Sequence, residues 1–311
     1  MKLPAITNLH TQKKATITAK KINFTYMKIH KIIICTLFLF SLQTAMAQDD
    51  LLGQLDTKPV KKEAVTATFK ALQIANLQST KLPAKGEFYL LISHRFGDLT
   101  EGLQNFFGLD NANTKIGGIY GIADWLSVGL SRHTFQKNYE TALKYRLANQ
   151  LEGGFPITIV GYNTFDVNTE LSKDDYPSLQ FSNRLAYSAQ LLISRKMSES
   201  LSLELAPIFT HKNLYNNVSE NANLMLLGFG GRYKLSKRLS LNLEYDTRLN
   251  AKEDNPYQNP ITLGLDIETG GHIFQLVFSN SQAMNDVTVF NNSTGNGSKG
   301  IFFGFNMYRV F

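Results

Sequence analysis

The chain ends in Ile301-Phe302-Phe303-Gly304-Phe305-Asn306-Met307-Tyr308-Arg309-Val310-Phe311, a stretch whose residues alternate between two faces of an extended chain. One face begins at Ile301 and is apolar, whereas the other carries Asn306. In a soluble protein, an apolar last strand that stops on an aromatic residue would be an exposed edge that invites aggregation. In an outer-membrane β-barrel the same strand closes the sheet, because the first strand covers its open edge. The stretch therefore predicts a closing barrel strand.

The N-terminal part has the order of a secretory leader. Its apolar run, Ile32–Leu42, is too short to span a bilayer, which takes about 20 residues. Lys28 and Lys31 precede the run and Ala45-Met46-Ala47 follows it. That order predicts a signal peptide over residues 27–47, cleaved after Ala47, and hence export to the cell outer membrane.

Two further segments flank this leader. Residues 1–26 are interpreted as an over-extended N-terminus or an unusually long n-region. Residues 48–85 are polar at first and then mixed, with no clean period of 2 or 3.6. They are expected to form a periplasmic N-terminal segment, either a tail, a short strand or a plug tucked into the lumen. The barrel itself is predicted over residues 86–311.

Composition excludes several functional classes. The 43% hydrophobic content and the mean hydropathy of −0.16 do not suit a helical membrane protein with many spans. Seven lysines and no carboxylate lie in residues 1–47, so the remaining chain has 25 basic and 25 acidic residues. The excess positive charge belongs to the leader, which removes the argument for a nucleic-acid partner. Cys35 also lies in the leader, so no disulfide or thiolate metal site is expected. The histidines have no His-x-x-x-His spacing and no carboxylate cluster beside them, so no metal centre is expected, and no cofactor is predicted.

From Gly86 onward the chain consists of period-two segments separated by turn residues. Leu239, Leu241 and Leu243, for example, alternate with polar residues that include Glu244. A helix would scatter these charges around its circumference, whereas a strand collects them on one face. Counting such segments predicts an all-β fold, an antiparallel transmembrane β-barrel of about 12 strands.

The connections between these segments alternate in length. Ala123-Asp124, Met197–Glu199 and Thr269–Gly271 are tight turns, whereas 98–113 and 280–299 are long breaks. Of the breaks on the long side, only 134–138 is shorter than the series predicts. Barrels have short periplasmic turns and longer extracellular loops, whereas a soluble sandwich has no reason to alternate them.

Aromatic residues near the ends of the predicted strands suit an interfacial girdle. They are Tyr120, Trp125, Tyr139, Phe155, Tyr257, Tyr308 and Phe311. The charged residues on the opposite faces are predicted to point into the lumen. They are Arg95, Glu140, Lys144, Arg146, Arg184, Glu204, Glu244, Asp246, Arg248, Asp266 and Glu268. These charges either pair with one another to brace a narrow barrel or line a polar pore that selects small solutes.

One pair of residues admits a catalytic interpretation. Ser131 and His133 are two apart and therefore neighbours on one face of a strand. Outer-membrane phospholipases use Ser and His on a barrel wall, so a lipid hydrolase remains an alternative. Polar residues on a lumen face need no catalytic explanation, however, and the protein is not expected to be an enzyme.

Four stretches resemble a family of bacterial outer-membrane β-barrels that carry a domain of unknown function. They are Ile92–Asp98, Phe107–Ala112, Tyr120–Trp125 and Gly271–Ala283, within a resemblance that spans most of Val65–Phe311. The resemblance implies a barrel in the outer membrane and no catalytic residue. It makes His94, Arg95, His272 and Gln275 candidates for a family-specific role, with packing and turn capping as the simpler explanation.

These observations favour a channel or binding barrel for a small solute. The first alternative is a sealed barrel with a structural or partner-docking role, and the second is the hydrolase. The expected partners are outer-membrane lipid, a small solute or a periplasmic protein, and the barrel-assembly machinery, whose recognition signal Phe311 resembles.

Overall fold

Twelve antiparallel strands dominate the computed structural model, which describes residues 63–66 and 68–311. The predicted leader and residues 48–62 lie outside this described part. The strands are β1 (Phe88–Asp98), β2 (Ala112–Ala123), β3 (Leu126–His133), β4 (Asn138–Ala148), β5 (Thr158–Asn168), β6 (Leu185–Lys196), β7 (Leu201–Lys212), β8 (Asn223–Lys234), β9 (Leu239–Arg248), β10 (Ile261–Thr269), β11 (His272–Ser279) and β12 (Phe302–Val310).

The sheet closes on itself. Each strand pairs with its sequence neighbours, and β12 pairs with β1 to complete the barrel. Phe305 lies opposite His94 and Asn306 opposite Ser93. The amide of Phe311 donates to the carbonyl of Phe88 at 2.9 Å. The predicted fold class and the closing role of the last strand are thereby confirmed.

Side chains alternate between the two faces of the wall because successive residues of a strand point in opposite directions. In β9, Leu241, Leu243 and Tyr245 are 39%, 54% and 41% exposed, whereas Asn242 and Glu244 are 1% and 2% exposed. The outer face is thus apolar and the inner face polar. Among the described residues, no helix has the length and apolarity to cross a bilayer.

The connections differ between the two ends of the barrel. One end carries the short turns 124–125, 197–200, 235–238 and 270–271, together with 149–157. The other end carries the long loops 99–111, 169–184, 213–222, 249–260 and 280–301, and the short turn 134–137. This alternation confirms the predicted parity. Strand β6 starts only at Leu185, because residues 181–184 form a 3-10 turn.

The loop 280–301 does not remain outside the barrel. Its helix α1 (Asp286–Asn292) is almost wholly buried, with Val289 and Phe290 in an apolar cluster inside the lumen. This cluster includes inward-facing residues of the wall, among them Leu192 and Leu226. The inner face of the wall is therefore apolar around α1.

The N-terminal segment (residues 68–84) also lies in the lumen, where it forms a hairpin over residues 72–79. The amide of Ser79 donates to the carbonyl of Leu72 at 3.0 Å, and that of Ile74 donates to Leu77 at 2.7 Å. Glycines in the wall make room for the hairpin. A Cβ added at Gly264 would lie 3.2 Å from the Cβ of Ala75, and one added at Gly230 would collide with Ile74.

Candidate functional site in the barrel lumen

The tip of the hairpin is held by one carboxylate of the wall. Glu244, on the inward face of β9, accepts main-chain hydrogen bonds from Ala75 at 3.1 Å, Asn76 at 2.8 Å and Leu77 at 2.9 Å. A tight turn leaves successive amides without main-chain acceptors, and a buried amide without a partner is costly. A single buried negative charge therefore satisfies three consecutive donors.

Two more charged residues of the wall, Lys144 and Glu204, also bind main-chain atoms of the N-terminal segment. Nζ of Lys144, in β4, donates to the carbonyls of Leu72 and Ser79, both at 2.9 Å, and to that of Lys81 at 3.2 Å. Glu204, in β7, accepts from the amide of Thr80 at 3.1 Å. The wall thus places an anion where the hairpin has amides and a cation where it has carbonyls.

Residues on both sides of the β1–β12 seam bind the hairpin as well. Arg95 donates to Oδ1 of Asn76 at 2.8 Å and to Oδ1 of Asn306 at 3.0 Å. Asn306 in turn donates to the carbonyl of Ala75 at 2.9 Å. Gln275 in β11 donates to the carbonyl of Ile74 at 3.0 Å. Five predicted lumen or family-motif residues are therefore brought together around one short segment: Arg95, Lys144, Glu204, Glu244 and Gln275.

Mutual pairing of lumen charges explains only part of this network. Lys115 and Glu140 form a buried pair at 2.9 Å. Glu268 lies 3.2 Å from Lys70 and 3.1 Å from Arg232. By contrast, Lys144, Glu204 and Glu244 bind main-chain atoms of the N-terminal segment, so the expectation that the charges brace one another is wrong for these three.

At the long-loop end, α1 fills the lumen. Its Asp286 accepts a short hydrogen bond from Gln190, and its Asn291 donates to Thr210 at 2.8 Å. Burial, followed by the negative charge of Glu140, raises the pKa of Asp286 to about 7. Removing a carboxylate from water favours its neutral form, so this helix carries a carboxyl that titrates near neutrality.

The remaining predicted lumen residues occupy different positions. Asp246 is fully buried beside Gly228, where an added Cβ would lie 2.6 Å from its Oδ1. Arg248 donates to the carbonyl of Tyr257 at 2.7 Å and so binds the loop 249–260. Arg146 is only partly buried on the inward face of β4. Asp266 accepts from Gln275 at 2.7 Å.

Two of the family-motif candidates lie outside the lumen, and two other residues lie elsewhere than predicted. His94 is on the outer face, where its ring stacks on Phe305 with 5.4 Å between centroids. His272 is also on the outer face of the sheet, beside Arg309. Arg184 belongs to the loop 169–184 and not to a strand. Tyr308, predicted in the girdle, points inward and donates to Gln73, because it shares the alternation of Asn306.

The Ser131–His133 pair lacks the arrangement of a catalytic triad. Oγ of Ser131 lies 3.1 Å from Nε2 of His133, and Oε2 of Glu140 lies 3.9 Å from that same nitrogen. In a triad the carboxylate binds the other nitrogen. Within the described part of the chain, Nδ1 of His133 has no hydrogen-bond partner. The adjoining cavity holds about 50 Å³, too little for an acyl chain.

Several contacts of the site were not predicted from the sequence. Lys115 and Arg232 lie on inward faces, and the alternation of β2 and β8 could have identified both. No comparable signal marks Gln73 or Asn76, because their segment has no period. Among residues 63–66 and 68–311, no cluster of three or more metal-binding side chains is present.

Solved structures with a similar fold include two porins and an outer membrane channel, all of low sequence identity. The NanC porin is 9% identical with a TM-score of 0.44, covering 72% of this chain and 98% of its own. The KdgM porin is 10% identical with a TM-score of 0.45, covering 72% and 99%. An outer membrane channel from Pseudomonas putida F1 is 14% identical with a TM-score of 0.43, covering 74% and 97%. The fold assignment rests on the strand pairing and not on these weak likenesses.

A comparison with curated proteins found no significant match. A family model does match, and it is described as "Membrane bound beta barrel domain (DUF5777)". The match begins at Phe69, near the start of the N-terminal segment, and ends at Phe311. It therefore includes both the closed sheet and the hairpin bound within it. The chain belongs to this family of membrane-bound β-barrel domains.

Proposed function

We propose that the protein is an outer-membrane channel for small solutes, closed at rest by the N-terminal segment and α1. The observation that carries this proposal is the way in which the hairpin is held. The inward charges Glu244, Lys144 and Glu204 bind main-chain atoms of a segment that is not part of the barrel wall. Each such hydrogen bond to a charged group can be exchanged for one with water at a net cost of roughly 1.5–3 kcal/mol.

The N-terminal segment is anchored at the short-turn end, which is the periplasmic end in this proposal. On one side it continues into β1. On the other side, residues that precede the segment are bound to the connection 149–157. The amide of Val65 donates to the carbonyl of Gln150 at 2.8 Å, and the amide of Glu152 donates to the carbonyl of Glu63 at 3.0 Å. Both anchors lie outside the hairpin, so residues 72–79 can leave the lumen while the segment stays attached to the rim.

An open lumen would retain charges of both signs. With the hairpin withdrawn, Arg95 and Lys144 face the water together with Glu204 and Glu244. A pore lined by both signs favours small polar solutes without strong selection for anions or cations. This matches the small-solute channel expected from the sequence.

A permanently sealed barrel is the second candidate, favoured by the apolar contacts of the hairpin. Ile74 and Leu77 belong to the same buried cluster as Phe290 of α1. Each fully buried aliphatic side chain contributes roughly 1.5–3 kcal/mol to the closed state. A sealed barrel would serve as a structural element or as a docking site for a periplasmic partner.

A reversible cross-link tests the proposal. Ala75→Cys combined with Gly264→Cys places two thiols on adjacent Cβ positions, near the spacing of about 3.8 Å that a disulfide requires. The only native cysteine, Cys35, lies in the predicted leader. In planar bilayers, we expect opening events from the reduced protein, none after oxidation, and recovery on reduction.

The single variant Gly264→Cys, which cannot cross-link within the chain, is the matched control and should conduct under both conditions. A wild-type protein and a reduced double variant that stay silent at every voltage would contradict the channel and favour the sealed barrel. Openings that persist at equal frequency after complete cross-linking would contradict the gating role of the hairpin.

A further inference from the structure

The loop between β1 and β2 (residues 99–111) exposes a group of apolar side chains at the long-loop end of the barrel. They are Leu103, Phe106, Phe107 and Leu109, which are 79%, 58%, 48% and 48% exposed. Single exposed apolar residues are ordinary on any protein, but a group of large ones marks a contact with a protein or a membrane. We call these four side chains the apolar patch.

The backbone beneath the apolar patch has an uncommon conformation. Phe106 and Phe107 have φ angles of 49° and 56°, in the left-handed region that bulky side chains rarely adopt. Such strain persists only where the surrounding structure imposes it, and it concentrates at functional positions. The exposure of these two rings therefore calls for a functional explanation.

Contacts with the end of β1 impose this conformation. The amide of Gly97 donates to the carbonyl of Gly108 at 2.8 Å, and a Cβ added at Gly108 would collide with Gly97. The buried side chain of Asn105 accepts from the amide of Gly108 at 2.6 Å. Gly97 lies in Ile92–Asp98 and Gly108 in Phe107–Ala112, so two of the four stretches that resemble the family meet here. Together they hold the apolar patch in place.

The polar side of the same loop faces inward. Glu101, Asn105 and Asn111 border a cavity of about 370 Å³ that the inward-facing residues Gly97 and Phe302 also line. The four side chains of the apolar patch lie outside this lining. The patch is therefore turned away from the lumen side of the loop.

The outer face of the wall leads directly to the loop. Phe96 and Ala112 lie opposite each other on that face, close to the end of β1 and at the start of β2. The ring of Phe96 stacks on Phe303 with 5.9 Å between centroids, and Phe303 packs against Phe278 at 5.0 Å. Since the chain belongs to a family of membrane-bound barrels, this aromatic face contacts acyl chains. The apolar patch continues that contact surface beyond the strands.

The charges of the loop indicate how deep the apolar patch lies. The carboxylate of Glu101 accepts from Asn105 at 2.6 Å on the cavity side, whereas Asp110 is exposed beside Leu109. An exposed carboxylate belongs among the headgroups, from where leucine and phenylalanine side chains still reach the upper part of the acyl chains. Continuity with the lipid-facing wall favours the bilayer over a second copy of the chain or an extracellular protein.

We propose that the apolar patch inserts into the outer leaflet of the membrane and contacts the acyl chains of its lipids. The insertion anchors the long-loop end of the barrel next to the β1–β12 seam, where the sheet closes. This inference goes beyond the proposed channel function and does not require the barrel to conduct.

Quenching by brominated lipid tests the contact in the full-length protein reconstituted into vesicles. The only tryptophan of the chain, Trp125, lies in a short turn at the opposite end of the barrel, and Trp125→Phe removes it. Phe107→Trp and Leu109→Trp, each made in that background, place one indole in the apolar patch. In phosphatidylcholine vesicles with acyl chains brominated near the glycerol, we expect emission about twofold lower than in unbrominated vesicles, because an interfacial ring lies among the upper acyl carbons.

Val218→Trp in the same background is the matched control. Val218 is 77% exposed, but its loop 213–222 is bound to the loop 249–260, where Lys252 donates to the carbonyl of Asn217. Its emission should therefore be the same in brominated and unbrominated vesicles. Heat-modifiable migration in SDS gels reports whether each variant has folded, and Leu109→Trp keeps the test valid if Phe107→Trp does not fold.

A third variant tests whether the patch acts as a unit. Leu103→Ser and Phe106→Ser, added together to the Phe107→Trp protein, should reduce the quenching. Unquenched emission from the folded patch variants, or equal quenching in the Val218→Trp control, would overturn the proposal. Emission that depends on protein concentration in detergent and not on bromination would assign the patch to a contact between copies of the chain, and would overturn the membrane contact as well.

Discussion

Glu244→Gln is the smallest change that weakens the hold of the barrel on its hairpin. The glutamine keeps the shape of the side chain but replaces one carboxylate oxygen by an amino group. In the wild type, Oε1 accepts from Asn76, while Oε2 accepts from Ala75 and Leu77. Whichever oxygen is replaced, at least one main-chain amide then faces another donor, and the other bonds lose their charge.

Hydrogen bonds to charged groups contribute roughly 1.5–3 kcal/mol each, so we expect a loss of about 2–4 kcal/mol in hairpin docking. Since 1.4 kcal/mol corresponds to a factor of ten, the undocked fraction should rise by about 30- to 700-fold. Hydrogen exchange measured by mass spectrometry should report this rise as faster exchange of the amides of residues 75–77. In planar bilayers, the same variant should open more often than the wild type.

Glu140→Gln is the matched control. Glu140 is an equally buried lumen carboxylate, but it bonds to Lys115 and Ser131 of the wall and not to the hairpin. Its substitution should leave exchange at residues 75–77 within about threefold of the wild type. Equal exchange rates in Glu244→Gln and the wild type, or an equal acceleration in both variants, would refute the role assigned to Glu244.

Three other substitutions test the same picture. Lys144→Met removes the ammonium that donates to the carbonyls of Leu72, Ser79 and Lys81 and should accelerate exchange in residues 72–81 at least tenfold, measured by mass spectrometry; unchanged exchange would contradict the contact. Gly230→Val places a side chain where Ile74 lies, so the variant should show a higher opening frequency in bilayers, and a frequency equal to that of wild type would count against close packing at this point. The pKa of Asp286 is raised to about 7 in the folded state, so α1 binds an extra proton between about pH 4 and pH 7 and its docking should weaken as the pH rises through that window. Proteolysis of the loop 280–301 should therefore quicken over this range in the wild type but much less in Asp286→Asn, and parallel profiles would contradict the assignment.

The wall of the barrel could be predicted from the sequence because each strand carries its own signal. Alternation in a segment such as Leu239–Arg248 reports which residues share a face, and loop parity reports which end a connection occupies. The same alternation placed Lys144, Glu204 and Glu244 in the lumen. The alternation of β12 also puts Tyr308 on the inward face together with Asn306. The girdle prediction for Tyr308 followed from its aromatic side chain and was wrong.

The contents of the barrel could not be predicted in this way. The conformation of residues 72–79 is imposed by side chains more than 100 residues away, such as Glu244, and a turn held by distant partners leaves no local period. Helix α1 has seven residues and no capping side-chain hydrogen bond, so it too lacks a sequence signal. Inward-facing Leu192 and Leu226 belong to strands whose outer face is also apolar, which hides the lumen cluster from the pattern.

The hairpin helps to determine the register in which the first and last strands of the sheet pair. Sliding β12 along β1 by two residues would keep every side chain on its proper face, so alternation alone does not choose between such registers. That slide would move Asn306 by about 6.6 Å, away from the carbonyl of Ala75 that it now reaches. The same displacement would take Tyr308 away from Gln73. The contacts of β12 with the hairpin therefore select one register between β12 and β1. That register fixes the shear number of the barrel, and the shear number in turn fixes its diameter.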